Sequence, residues 1–141
     1  MIFLLDTDRV TYIQRGTTEG LAIRQRLRDV APDDYGTTVV TYEEQCRGWL
    51  DSIHRAKTPS SRLIAYKDLK DNLLFFSRIA VWEYDLAAEE TFARLVKAKL
   101  GVGAKDLRIA SIALANDATV LTHNTSHFAR VPGLRFDDWT Y

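Results

Sequence analysis

Four short strand-like runs, Ile2–Leu5, Thr37–Val40, Ile79–Trp82 and Thr119–Leu121, with a weaker fifth near Leu134–Phe136, punctuate the chain at intervals too long for hairpins. Helical periodicity fills the gaps. Over Gly20–Val30, the residues Leu21, Ile23, Leu27 and Val30 fall near one face, while Thr41–Lys57 and Ser60–Ser77 read as a helical pair broken at Pro59. Leu86–Leu100 and Asp106–Asn116 read as two more helices. Strands alternating with helices at this spacing predict an α/β fold with a short, mainly parallel sheet of four to five strands and helices on both faces, a three-layer α/β/α arrangement. A chain of 141 residues supports one domain with a real core and not two, so residues 1–141 read as a single domain. Pro32–Gly36 reads as a turn and Gly101–Ala104 as a short joint, neither with the length of a linker.

Composition narrows the function classes. The longest apolar runs are far below the roughly 18 residues of a membrane span, and no secretory signal opens the chain, so a soluble, cytoplasmic protein is expected. The one cysteine, Cys46, excludes an internal disulfide and a cysteine-cluster zinc site. Nineteen basic residues balance nineteen acidic ones, so global charge says nothing for a nucleic-acid partner. The stretch from Arg47 to Lys70 carries six basic residues against two acidic, a mixture that reads as a solvated helical face.

The acidic residues are more informative. Ile2–Leu5 runs straight into Asp6-Thr7-Asp8; Asp8 reads as a helix N-cap, which leaves Asp6 at the carboxyl end of a strand with no structural duty of its own. Glu44 falls on the first turn of the helix after the second strand, Asp106 opens a later helix, and Asn124 follows the fourth strand. The carboxyl ends of a parallel sheet gather along one edge, where α/β proteins bind their ligands. Converging carboxylates suit a hard cation such as Mg²⁺ or Mn²⁺, and such a centre suits phosphodiester hydrolysis. Each residue also has a structural explanation. Thr41-Tyr42-Glu43-Glu44 fits a capping box, Asp106 can stabilise a helix N-terminus, and Asn124 can occupy a turn. Spacing alone leaves Glu43 and Glu44 as competitors, since adjacent helical residues point about 100° apart.

The stretches FLLDTD, TTVVTYEEQCRGW, VWEYDLAAEETFARL and KDLRIASIALANDATVLTHNTSHFARVPGLRFDDW occur in an order that resembles the PIN-domain ribonucleases, and among them the VapC toxins of bacterial toxin–antitoxin pairs. The resemblance covers nearly the whole chain, apart from Leu50 to Arg78, which matches only in being helical. It implies a PIN-like fold and a Mg²⁺-dependent endoribonuclease, with Mn²⁺ as the alternative cation and tRNA-like RNA as a candidate substrate. It also implies a VapB-like antitoxin partner and a homodimer or a hetero-oligomer with that antitoxin. Asp6, Glu44 and Asp106 then correspond to the family's acids and metal ligands, which selects Glu44 over Glu43. Asn124 takes the fourth catalytic position, commonly Asp. Thr7 and Thr122 become supporting residues, Asp8 stands where Asn is usual, and His123 lies where it can meet a substrate phosphate.

Three other readings remain on the sequence: a PIN module that binds RNA or protein without cleaving it, a Cys46 nucleophile, and a zinc ion shared by His123 and His127. The three acids oppose the first. Cys46 lies inside a helical pattern, where a lone cysteine usually packs, and the Asn-Thr-Ser between the histidines reads as a loop that would not hold them at helical spacing.

Overall fold

The computed structural model describes residues 1–140. The elements run β1 (Ile2–Leu5), α1 (Thr7–Arg15), α2 (Thr18–Leu27), β2 (Tyr35–Thr38), α3 (Val39–Arg55), α4 (Pro59–Ser77), β3 (Ala80–Trp82), α5 (Leu86–Lys97), α6 (Ala104–Ala115), β4 (Ala118–Leu121), α7 (Thr125–Phe128) and β5 (Arg135–Asp137). The strands form one sheet in the order β3-β2-β1-β4-β5, and every pairing is parallel. The chain winds outward from β1 through β2 to β3, then returns to the other side of β1 for β4 and β5. That reversal puts a topological switch point between β1 and β4, where the connections leave in opposite directions and open a crevice at the strands' carboxyl ends.

The two central strands are buried on both faces, as parallel sheets require. Leu4 and Val120 face one way, into a core with Ala88, Leu95, Leu107, Ile109 and Ile112 of α5 and α6. Leu5 and Leu121 face the other way, onto Val10, Ile13, Ile23, Leu27 and Phe76 of α1, α2 and α4. The alternation of side chains along a strand thus sorts the helices into two outer layers, and the three-layer expectation holds. No helix among the described residues is long and apolar enough to cross a membrane.

Several local boundaries differ from the sequence reading. The second strand ends at Thr38 rather than Val40, because the Thr38 hydroxyl accepts the Thr41 amide at 3.2 Å and caps α3 two residues earlier. The Thr41/Glu44 capping box therefore does not form. At the other site in question, Asp6 rather than Asp8 is the N-cap: its Oδ1 accepts the Thr7 amide at 2.8 Å, and Asp8 lies exposed in the first turn of α1. Of the residues between the two histidines, Asn124 stays in the loop, while Thr125 and Ser126 begin the single turn α7.

Helices α1 and α2 touch through Gly20, where an added Cβ would stand 2.2 Å from the Tyr12 carbonyl oxygen. Backbone cannot yield as a flexible side chain would. Gly20→Ala is expected to destabilise the fold by about 2–3 kcal/mol through overpacking, read as a lower denaturant midpoint at unchanged m-value. A midpoint equal to the parent's would show that the two helices can slide apart freely.

Candidate active site

Four carboxylate or amide side chains reach the crevice from four different elements. Asp6 leaves the end of β1, Glu44 the second turn of α3, Asp106 the first turn of α6, and Asn124 the loop after β4. Asp6 is fixed first. Its backbone N–H donates to the Leu121 carbonyl at 2.9 Å, extending the β1–β4 ladder by one bond. Its Oδ2 accepts the Thr122 hydroxyl at 2.9 Å, and the Asn124 amide N–H donates to that same hydroxyl oxygen at 2.9 Å. Thr122 is wholly buried and so locks the loop onto Asp6. On the other flank the Thr7 hydroxyl donates to Glu44 Oε1 at 3.0 Å, tying α1 to α3 across the crevice.

Burial and like charge make this cluster electrostatically strained. The Asp6 carboxyl is pushed up to about 6, chiefly by burial and further by Asp106 and Asp8, against the hydrogen bonds from Thr7 and Thr122 that pull it down. Glu44 is half-buried and its carboxyl is also raised, by burial first and then by the charge of Asp106 against the hydrogen bond from Thr7. The neighbouring Glu43 does the opposite. It is exposed, pairs with Lys105 and with Arg47 at 2.9 Å, and its carboxyl is lowered by that Lys105 hydrogen bond above all. Helix geometry thus turns Glu44 toward Asp6 and Asp106 and leaves Glu43 on the outer surface.

Asn124 Nδ2 lies 3.3 Å from Asp106 Oδ2, so the amide and the third acid are neighbours. His123 is placed differently: its Nδ1 lies 3.2 Å from Asp138 Oδ2, which leaves the ring largely exposed beside the cluster rather than hydrogen-bonded to it. Asp138 in turn accepts from the buried Arg9 guanidinium at 3.2 Å. His127 is the residue that sequence reasoning did not bring to the site. Its Nδ1 stands 3.3 Å from Asp106 Oδ2 and 2.7 Å from Asn124 Nδ2. The one available signal was the three-residue spacing from Asn124, which matters only once the segment is helical.

Among the described residues, no three His, Cys, Asp or Glu side chains close into a ready-made metal cage. The donor set nevertheless fits a hard divalent cation. Asp6, Glu44 and Asp106 offer only carboxylate oxygens, their mutual repulsion would fall on binding a positive charge, and Mg²⁺ commonly binds through one or two carboxylates while keeping its own waters. Cys46 is no part of this centre; its sulfur lies 3.7 Å from the Asn72 amide, between α3 and α4.

The PIN domain family model matches residues 3–134. The Ribonuclease VapC1 of Haemophilus influenzae strain R2866 is 29% identical over 141 residues, spanning 99% of both chains. A tRNA(fMet)-specific endonuclease VapC of Shigella flexneri is 41% identical over 71 residues, covering 47% of this chain and 53% of that one. Among solved structures, VapBC-1 from nontypeable Haemophilus influenzae superposes with a TM-score of 0.80 at 24% identity, covering both chains completely.

Proposed function

The chain belongs to the PIN-domain family, and on that premise we propose that it is an endoribonuclease, the toxin of a toxin–antitoxin pair, working with Mg²⁺ or Mn²⁺. The observation that carries this reading is the meeting of Asp6, Glu44 and Asp106 at the switch point of a parallel sheet. Full-length likeness to Ribonuclease VapC1 supports RNA as substrate, and the partial likeness to a tRNA(fMet)-specific endonuclease supports tRNA as its class.

Asp6, Glu44 and Asp106 would hold the cation, with Asn124 completing the rim and Asp8 contributing negative charge nearby. When bound, the cation supplies charge neutralisation for the scissile phosphate and lowers the pKa of a water. The protein's part is orientation. Thr122 fixes Asp6 Oδ2 and the Asn124 backbone together. Thr7 holds Glu44 by Oε1 and leaves Oε2 free to meet the cation or one of its waters. His123, steadied by Asp138, stands on the flank where the RNA backbone would pass.

Purified protein incubated with tRNA should give discrete fragments in Mg²⁺ or Mn²⁺ and none in EDTA. Full cleavage in EDTA would overturn the cation. Binding of tRNA without cleavage under every condition would favour a non-catalytic RNA-binding module instead. The two neighbouring glutamates offer a sharper comparison. Glu44→Gln should lower the cleavage rate by about a hundredfold or more, whereas Glu43→Gln, which loses only surface ion pairs worth about 0–1 kcal/mol, should stay within a few-fold of the parent. A dead Glu43→Gln beside an active Glu44→Gln would reverse the assignment.

The partner is a VapB-like antitoxin, consistent with the VapBC assemblies among the structural neighbours. A cavity of about 870 Å³ lies between α1, α2 and α4, floored by Ile13, Leu27 and Phe75 and edged by Arg24 and Arg28. Asp68, Asp71 and Arg78 line it as well, so it offers a mixed apolar and charged seat suited to an amphipathic segment. An Arg or Lys of the same segment would place its charge among Asp6, Glu44 and Asp106, so antitoxin and cation would oppose one another by linkage.

A further inference from the structure

Arg9 carries a charge where no substrate can touch it. Its side chain is 1% exposed, its Nε has no hydrogen-bond partner among the described residues, and its guanidinium lies 4.6 Å from the centre of the Tyr12 ring. Burying such a group is costly unless it is paired. Its ion-pair partner is Asp138, whose Oδ1 accepts from Arg9 at 3.2 Å, from the Thr140 amide at 3.1 Å and from the Thr140 hydroxyl at 2.7 Å. Those three donors occupy Oδ1 and leave Oδ2 to His123 Nδ1 at 3.2 Å. Against its burial, the hydrogen bonds from Thr140 and His123 and the charge of Arg9 hold the Asp138 carboxyl below its ordinary value. Oδ2 is thus an acceptor, and Nδ1 of the ring carries the hydrogen.

The imidazole fixed by this anchor is 72% exposed. Its chain neighbours are two residues of the crevice: Thr122, bound to Asp6 Oδ2, and Asn124, 3.3 Å from Asp106. With Nδ1 taken, Nε2 is the atom left for a ligand, and it offers a lone pair in the neutral ring or an N–H in the protonated one. A phosphate oxygen can meet only the second form. A ribose 2′-hydroxyl, donor and acceptor at once, can meet either. We infer that His123 reads a ribose 2′-hydroxyl beside the cleaved phosphate and so tells RNA from DNA, with Asp138 and Arg9 as its positioning residues. The inference rests on the RNA-cleaving reading above. The acid cluster cannot make this distinction, because a cation and its carboxylates meet phosphate oxygens, which RNA and DNA share.

The test pairs changes in the side chain with changes in the substrate. Binding of a short single-stranded RNA and of the same sequence as DNA is followed by fluorescence anisotropy in EDTA. Cleavage is followed on synthetic tRNAs in which one 2′-deoxyribose is walked through the nucleotides around the cut. The parent should bind RNA about fivefold or more tighter than DNA, and one deoxy position should slow its cleavage about tenfold. In His123→Ala, whose exposed side chain the fold does not need, both differences should shrink to within about twofold. Asp138→Ala should erase them as well, while Asp138→Asn, which keeps a polar group against Nδ1, should retain them. A merely structural Asp138 would lower Tm and leave the deoxy effect untouched, which would remove its positioning role. A deoxy penalty equal in the parent and in His123→Ala, or absent from the parent, would overturn the proposal. So would an affinity loss in His123→Ala that is the same for RNA and DNA, which would assign the ring to a phosphate. A chain that prefers RNA through His123 but cuts none would uphold this inference and sink the nuclease reading, and one that cuts RNA with a deoxy penalty independent of His123 would do the reverse.

Discussion

Asp106→Asn is expected to slow RNA cleavage by about a thousandfold, equivalent to about 4 kcal/mol of transition-state stabilisation, while leaving the fold intact. The asymmetry comes from where Asp106 sits. It occupies the first turn of α6 behind Gly103, which makes no side-chain cap, so its charge adds at most about 1 kcal/mol to the helix. It is partly exposed, and its contacts with Asn124 and His127 are ones an amide can largely keep. What the substitution removes is the formal charge that both Asp6 and Glu44 feel. Single-turnover cleavage of one defined tRNA, beside far-ultraviolet circular dichroism and thermal unfolding, separates the two effects. A variant within tenfold of the parent would remove Asp106 from the catalytic centre.

The second large effect concerns stability. Asp6→Asn should abolish cleavage and yet make the cation-free protein more stable. Asp6 holds its proton up to about pH 6 when folded and to about pH 4 when unfolded. Between those values the folded chain binds a proton that the unfolded chain has released, so stability falls as the pH rises through this window. Above it the full difference, about 3 kcal/mol, stands against the fold. Asparagine removes that pH-dependent cost. Its Oδ1 can still accept the Thr7 amide, and the Thr122 hydroxyl, already an acceptor for the Asn124 amide, can accept from Nδ2 as well. Allowing for imperfect replacement, the gain is about 2 kcal/mol at pH 7, or roughly 7 °C in Tm for a chain of this size. The gap between parent and variant should close below pH 4, and at pH 7 saturating Mg²⁺ should narrow it by stabilising only the parent. A variant less stable than the parent at pH 7, or one with the parent's pH slope, would contradict this account.

What was legible in the sequence was legible for a physical reason. Leu4/Leu5 and Val120/Leu121 are continuous apolar pairs, which is how strands buried on both faces look, and the long amphipathic spacings of α3, α5 and α6 leave little ambiguity. Helix starts were less readable, because a capping hydroxyl looks the same wherever a threonine stands. Thr38 and Thr41 are both suitable, and tertiary pairing of β2 with β1 up to Thr37 decides between them. The same holds for Asp6 and Asp8. The acid cluster could be guessed from strand ends, but the direction of Glu43 depends on Lys105, a residue 62 positions away that no local pattern reports. The sequence offers His127 only as a zinc partner of His123, because α7 is a single turn, too short to give a period that would set it beside Asp106.

The central position of β1 has a consequence for the order in which the molecule is made. Asp6 leaves the ribosome well before the strand that fixes it: β4 ends at Leu121, and the hydroxyl that holds the Asp6 Oδ2 belongs to Thr122, 116 residues later. Until that stretch has emerged, β1 lacks one neighbour and the crevice lacks a wall. Contacts of such long sequence separation form late, after loop closure has been overcome. At roughly 5–20 residues per second of synthesis, a growing chain therefore spends seconds with Asp6 and Glu44 already made and Asp106 and Asn124 still missing. The acid cluster can therefore close only after Asn124 has been synthesised, however much of the earlier helices has already formed.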